Sequence, residues 1–489
     1  MVLFMSNKKM NFVFFFPDEM RADALHCYGD QTVRTPHYDR LCQQGVTFDQ
    51  CHVQNPVCSP SRCTMATGRY PHCEGHRSLW NLLKENEVNL FRCLKESGYD
   101  VRIYGKNDLF SKDAAPLGCD EMIVAQDTFS SPIRPVAERG EKGYYNFLYQ
   151  PPEGTIQDTA DYKSVERGIQ FLRSHTENDK PFFLFLPLMY PHCPYTVPEP
   201  YYSLYTNHAS SFSLRPPCSQ KPSYHELIRT YRETDSESCH KIRAIYAGMI
   251  SFTDMLLGRV LDALQECGLD NQTTVIAASD HGDYAGDYGL VEKWPSGCED
   301  VLTHVPLIVR TPGAAVGHRV KECVALFDIM PTVLELAGIQ PPEQIFAHSL
   351  VPCLYGNPGA PFRTVYCEGG YSATERQCTE GTDKPSTSWM KNSANIYYPK
   401  YLQQKKHPNS VERTVMMRNS QFKLVYRTSQ ENELYDLSSD PLELHNIYGD
   451  PLYENIRLKM ESHLLSWYLA TSDAVPLHED ARITRDIIK

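Results

Sequence analysis

Asn11-Phe12-Val13-Phe14-Phe15-Phe16 carries no charge, and Pro17-Asp18-Glu19 follows at once. A short, aromatic-rich apolar run closed by a proline reads as a strand covered on both faces rather than as a helix. Four more runs share this texture: Val101–Tyr104, Phe182–Leu188, Thr273–Ser279 and Val305–Val309. Between them the apolar spacing changes to three and four residues. Tyr162, Val165, Ile169 and Leu172 mark a helix over Asp158–His175. Ile245, Met249, Phe252, Leu256, Val260 and Leu264 mark another over Ile242–Leu269, with Gly268 at its C-cap. Strand–helix alternation predicts an α/β fold with a large, mostly parallel mixed sheet sandwiched by helices.

After about residue 360 the texture changes. Arg413–Arg418, Phe422–Tyr426 and Glu433–Tyr435 are short strand candidates parted by turn residues, and a helix is expected from Leu452 to about Leu469. The chain therefore divides into residues 1–360, a catalytic α/β domain, and residues 361–489, a smaller C-terminal α+β subdomain with an antiparallel sheet. Two polar stretches, Ser203–Ser238 and Glu368–Glu412, are too long for simple connectors. Tyr371, Trp389, Tyr397 and Tyr398, with several lysines, mark the second as an insertion folded beside a binding mouth.

With 489 residues, 41% hydrophobic and 22% charged, the composition excludes a disordered chain and a polytopic membrane protein. The net charge of −12 repels nucleic acid and anionic membranes, so neither is expected as a partner. An anionic substrate would need a local positive pocket. The 17 cysteines are odd in number and form no C-x-x-C pair. The apolar stretch near the N-terminus lacks a small-residue cleavage site, and a reducing, cytoplasmic location is expected.

Chemistry gathers where strands end. Asp18-Glu19 follows the first strand and Asp280-His281 follows Thr273–Ser279. Ligands of open parallel sheets bind outside the carboxyl ends of the strands, which makes these four residues candidate metal ligands.

Cys58-Ser59-Pro60-Ser61-Arg62, continuing to Thr67-Gly68-Arg69, resembles the C-x-P-S-R…T-G-R signature of type I sulfatases of the alkaline phosphatase superfamily. The resemblance implies an alkaline-phosphatase-like fold and oxidation of Cys58 to formylglycine by a maturation enzyme. A hydrated aldehyde bears two hydroxyls on one carbon: one attacks the sulfate ester, and the other collapses to expel sulfate. Arg62 would hold a hydroxyl of that group. The family also implies one divalent cation, Ca²⁺ first, with Mn²⁺ or Mg²⁺ as alternatives, beside residue 58. Asp18, Asp280 and His281 match its ligands, whereas Glu19 stands where the family usually has aspartate.

Three more segments carry over. Gly289-Leu290-Val291-Glu292-Lys293 resembles the G-L-x-x-K segment, whose lysine binds a sulfate oxygen. Gly105-Lys106-Asn107-Asp108-Leu109 looks like G-K-x-H-L, with Asp108 in place of the histidine. Pro191-His192-Cys193-Pro194-Tyr195 is similar to P-H-x-P-[FY], and a histidine there suits protonation of the leaving alcohol. Catalytic and substrate-binding roles are thus expected for Cys58, Arg62, Lys106, His192 and Lys293. Towards the C-terminus, Phe422–Tyr426, Glu433–Leu437 and Asp440–Asn446 resemble the family's K-L-I-Y…E-L-Y-D-L…D-P-x-E…N pattern. Weaker candidates are His72, His76 and Arg77 on the substrate side, and Thr303 and His304 behind the site.

The expected function is hydrolysis of a small anionic sulfate ester, foremost of a glycosaminoglycan-type saccharide, with choline or aryl sulfates behind it. A homo-oligomer is compatible with the sequence. The rival within the superfamily is a formylglycine-dependent phosphonate monoester or phosphodiester hydrolase using Mn²⁺, because Pro17-Asp18-Glu19-Met20-Arg21-Ala22-Asp23 and the Asp-His pair also suit that group. A non-catalytic binding protein would have lost the Cys, Arg, Lys and metal positions, and this chain keeps them.

Overall fold

β1 (Asn11–Phe16) lies mid-sheet and is wholly buried, because its two faces feed two cores. In the computed structural model, which describes residues 9–176, 178–357, 363–372, 374–375 and 392–472, Val13 and Phe15 join one hydrophobic cluster while Phe12, Phe14 and Phe16 join the other. Each such ring removed from water contributes roughly 1.5–3 kcal/mol. A strand with apolar partners on both sides has no need of alternation, hence the unbroken run.

The remaining strands are β2 (Val46–His52), β3 (Asp100–Tyr104), β4 (Glu121–Ile123), β5 (Phe182–Pro187), β6 (Thr273–Ala278), β7 (His304–Val305), β8 (Leu307–Arg310) and β9 (His318–Ala325). Their order is β4-β3-β5-β1-β6-β8-β2-β7, with β9 also paired to β2. The five strands from β4 to β6 are parallel, and β8 runs against both β6 and β2. This is the mostly parallel mixed sheet that the alternation implies. Val305–Val309, expected as one strand, is divided at Pro306, which has no N–H to give to a ladder.

Helices Ala160–Ser174 and Ser236–Glu266 cover one face. The second starts six residues before its expected beginning, since Asp235 caps it by accepting from Ser238 N at 3.0 Å. By length and composition it could cross a membrane, but 89% of its apolar window is buried in the fold, as befits a core helix. The helix Cys58–Thr67 lies on the other face, buried along its entire length.

A second sheet is antiparallel, in the order β10 (Val365–Gly369), β11 (Thr414–Arg418), β12 (Phe422–Arg427), β13 (Glu433–Asp436). The helix Glu454–Thr471 packs on it through Met460, Leu464 and Trp467. The sixteen described cysteines are free, so no disulfide among the described residues ties the two sheets together.

Both polar stretches hold more structure than their composition suggests. The first contains the helix Tyr224–Arg232, whose Tyr224, Ile228, Tyr231 and Arg232 are buried. The second begins inside β10 and contains the helix Tyr398–Lys406. Tyr371 is buried and bonds Gln404, so it packs rather than offering a face to a sugar. Trp389 lies outside the described residues.

Candidate active site

Each expected strand end delivers its side chain to one point. Asp18 and Glu19 leave β1, Lys106 leaves β3, His192 follows β5, and Asp280 and His281 leave β6. Cys58 opens the helix that packs across these ends. Gly105, at φ +141°, lets β3 approach β5 so closely that a Cβ there would run into the Pro187 carbonyl. The same carbonyl accepts from Lys106 N at 2.7 Å, and this fixes where the lysine starts.

The Cys58 sulfur sits 3.2 Å from His281 Nε2, 3.5 Å from Asp18 Oδ1 and 3.8 Å from Lys106 Nζ. Arg62, one turn along, donates through Nε to Asp280 Oδ2 and through Nη2 to Asp18 Oδ2, both at 2.8 Å. Lys106 reaches Asp18 Oδ2 at 2.6 Å and Asp108 Oδ2 at 2.9 Å. Asp108 thus takes up the lysine charge. On the adjoining side Lys293 donates to Glu19 and, at 2.9 Å, to His192 Nε2.

Charge and burial set the proton positions. Burial would raise the Asp18 carboxyl, but Lys106 and Arg62 outweigh it and hold the group well below its ordinary value. Burial pushes the Glu19 carboxyl well up, Lys293 notwithstanding, with Asp283 and Asp18 adding to the rise. It also pushes the Cys58 thiol up, as does Asp18. A buried thiol of this kind stays protonated and is a poor nucleophile in its own right. Burial, then the charges of Lys293 and Lys106, holds His192 neutral. Its Nδ1 faces Cys193 O at 2.5 Å, which leaves Nε2 to accept from the Lys293 ammonium. The proton on this edge therefore resides on Lys293, with His192 Nε2 as its acceptor.

Asp18, Cys58, Asp280 and His281 present ligand atoms within 4.8 Å of one another, and Asp18, Glu19, Cys58 and His192 meet the same test. The first set suits a divalent cation. His281 Nδ1 donates to Gly282 O at 2.8 Å, which turns the Nε2 lone pair inward beside two carboxylates. Glu19 belongs to the second set only, on the side of His192 and Lys293.

The weaker candidates separate. Thr303 bonds Glu299 O, and His304 bonds Asp49 O at 2.8 Å and stacks on His52. His76 bonds Asn81 O at 2.7 Å, and His72 joins Glu368 to the end of the last helix through Thr471 O at 2.6 Å. These four hold the fold together. One supporting residue had no signal in the sequence: Asp161, buried at the start of its helix, accepts from Met189 N and Tyr190 N at 2.8 Å and so anchors the turn bearing His192.

Comparison with known proteins fits this geometry. The family model described as "Sulfatase" matches residues 10–339, and that described as "N-sulphoglucosamine sulphohydrolase, C-terminal" matches residues 377–468. The chain belongs to the sulfatase family and is a sulfate ester hydrolase. Among curated relatives, it is 25% identical to the multifunctional alkaline phosphatase superfamily protein PehA of Trinickia caryophylli, over 95% of this chain and 94% of that protein. It is 26% identical to iduronate 2-sulfatase of Homo sapiens, over 90% and 91%. Among solved structures, the phosphonate monoester hydrolase of Agrobacterium radiobacter superposes with a TM-score of 0.76 at 23% identity, covering 95% of this chain and 96% of that one. A structure in complex with D-glucosamine-2-N,6-O-disulfate gives 0.70 at 20% identity, covering 94% and 98%.

Proposed function

We propose that this enzyme removes sulfate from a glycosaminoglycan-type saccharide, with Cys58 matured to formylglycine and one divalent cation, Ca²⁺ foremost, held by Asp18, Asp280, His281 and residue 58. The observation that carries the reading is the cationic ring around Cys58. Arg62, Lys106 and Lys293 are charged there in a protein of net charge −12, and His192 completes the ring. Bare sulfate oxygens are best met by such donors, and a second organic substituent on the reacting centre would have to displace one of them. The curated relative that acts on iduronate sulfate and the neighbour complexed with a glucosamine disulfate support a saccharide as the alcohol.

Bound among these ligands, the cation would supply positive charge for the nucleophile and for sulfate oxygens. The protein's own groups divide the remaining work. Arg62 fixes the spacing of Asp18 and Asp280, and Gly282 O fixes the tautomer of His281. Lys106 and Lys293 hold sulfate oxygens, and the Lys293–His192 pair presents a proton at the leaving-group side.

The PehA relationship and the phosphonate hydrolase superposition favour a second reading, hydrolysis of a phosphonate monoester or phosphodiester. Kinetics on matched sulfate and phosphonate esters of one leaving group decide between them. The sulfate is expected to be preferred, and a kcat/KM favouring the phosphonate by about tenfold, ~1.4 kcal/mol in the transition state, overturns the choice. Mass spectrometry of the peptide around Cys58 tests for the aldehyde independently.

A further inference from the structure

Of the candidates following Thr67-Gly68-Arg69, Arg77 and His72 both line a substantial cavity, and His72 is already engaged by Glu368 and Thr471 O. That cavity, about 520 Å³, lies between the loop at Gly75, the start of β11 and the end of the last helix, and is lined by Arg77, Asn81, Arg413, Glu375, Tyr468 and Ser472 among others. We propose that it is an oxyanion subsite, in which Arg77 and Arg413 hold a carboxylate or a second sulfate on the sugar unit flanking the scissile ester. The inference rests on the saccharide sulfatase reading above and adds to it the chemistry of the neighbouring unit.

Two guanidinium groups converge here in an acidic protein. Arg77 is nearly buried, with a 3.3 Å bond to Glu368 beneath it, while Arg413 is half-exposed and paired with Glu375. Burial and the neighbouring Arg77 charge both pull Arg413 below its ordinary value, a repulsion that an anion between them would relieve. Beside them His72 is held as an imidazolium between Glu368 and Thr471 O, so three cations face two carboxylates. A guanidinium has five donors, and one carboxylate partner leaves several for a planar or tetrahedral anion. Asn81 and Ser472 add neutral donors, and Tyr468, stacked on His72 at 4.9 Å, completes the wall.

The loop that lines the cavity also packs against the helix that Cys58 opens. Ser59, next to Cys58, bonds Leu79 O at 3.4 Å, and Cys63 lies 3.9 Å from Asn81 O. Arg77 is two residues from Leu79, at most roughly 7 Å of extended chain.

Titration calorimetry on the full chain in a Cys58→Ala background tests this with three saccharides that share the scissile sulfate. The flanking unit carries a carboxylate in the first, the same carboxyl reduced to an alcohol in the second, and a second sulfate in the third. At least one anionic ligand is expected to bind tenfold or more tightly than the reduced one, and which one does so identifies the anion. Arg413→Ala, at a half-exposed position, should cut that preference below threefold, as should Arg77→Ala. The reduced ligand reports on folding in each variant. No preference for an anion, or a preference that survives both substitutions, overturns the subsite. Sulfate release by the unsubstituted chain judges the underlying reading separately: if none of the three saccharides is hydrolysed, that reading falls, while the titrations still decide whether the arginine pair holds an anion.

Discussion

Arg62 Nε lies 2.8 Å from Asp280 Oδ2, and both side chains are fully buried. Because the same guanidinium also reaches Asp18 at 2.8 Å, one planar fork sets the separation of two carboxylates from different strands. Arg62→Ala would leave buried Asp280 without its cationic partner and Asp18 with Lys106 alone, and should destabilise the fold by about 3–5 kcal/mol in denaturant titration. Arg62→Lys keeps the charge but cannot bridge both partners, so it should recover only part of that stability and little of the activity. Wild-type stability in Arg62→Ala would show that the fork does not organise the site.

The ligand set Asp18, Asp280 and His281 predicts a metal-dependent melting temperature. Calcium at a hundredfold its Kd should stabilise the chain by about 2.7 kcal/mol, and chelation should remove that increment together with the activity. Asp280→Asn should abolish the calcium response. Thermal scans with and without chelator check this, and an unchanged melting temperature would count against the site.

His72 predicts a loss of stability at high pH. Burial opposes its charge, but bonds to Cys73 and Glu368 raise it from 6.5 to about 10. A histidine with a raised folded pKa gives its full contribution below about pH 6.5, and that contribution fades as the pH climbs through about 10. Unfolding free energy should thus fall across pH 7–10, by roughly a few kcal/mol at most. In His72→Gln the decline should be largely absent.

Asp161 predicts a decline of the same sign at lower pH. Burial pushes its carboxyl from 3.8 up to about 7 despite the bonds from Met189 N and Tyr190 N. An acid whose folded pKa is raised binds more protons folded than unfolded between about pH 4 and 7, so its contribution declines over that window and is flat above it. Asp161→Asn should remove this slope. Its amide has a single acceptor oxygen for the two backbone donors, so the turn bearing His192 should shift. The expected cost is roughly tenfold in kcat, about 1.4 kcal/mol, with KM little changed, and a pH–stability profile recorded beside the kinetics separates the two effects.

β1, β5 and β6 were legible because strands buried on both faces leave uninterrupted apolar runs, and the acidic residues that end two of them mark the site. β2 and β9 were not. Asp49 and Gln50 interrupt Val46–His52 at a register shift, and His318, Arg319, Lys321 and Glu322 give β9 the polarity of a surface loop. The helix Tyr224–Arg232 hides its amphipathic face behind tyrosines and an arginine that are buried through polar partners: Tyr224 and His225 bond Glu299, and Arg232 bonds Glu292. In the site, the motif residues could be found one by one. Their partners could not, since Gly282 O, Asp161 and the Glu19–Lys293–His192 chain are matters of distance across the fold.

Cys58 is 1% exposed at the head of a helix that is buried from end to end, under Lys106 and His281. On the proposed reading, a maturation enzyme that has to grip this segment to oxidise its thiol would find no handle on the finished protein. If Cys58 is converted as proposed, the order of events is thereby constrained: conversion would have to happen while the chain is still emerging or unfolded, and a molecule that folds first would stay inactive. Folded, unconverted chain incubated with the maturation enzyme should remain a thiol, while the same chain presented unfolded should gain the aldehyde. The architecture that gives the nucleophile its surroundings thus also sets a deadline for making it.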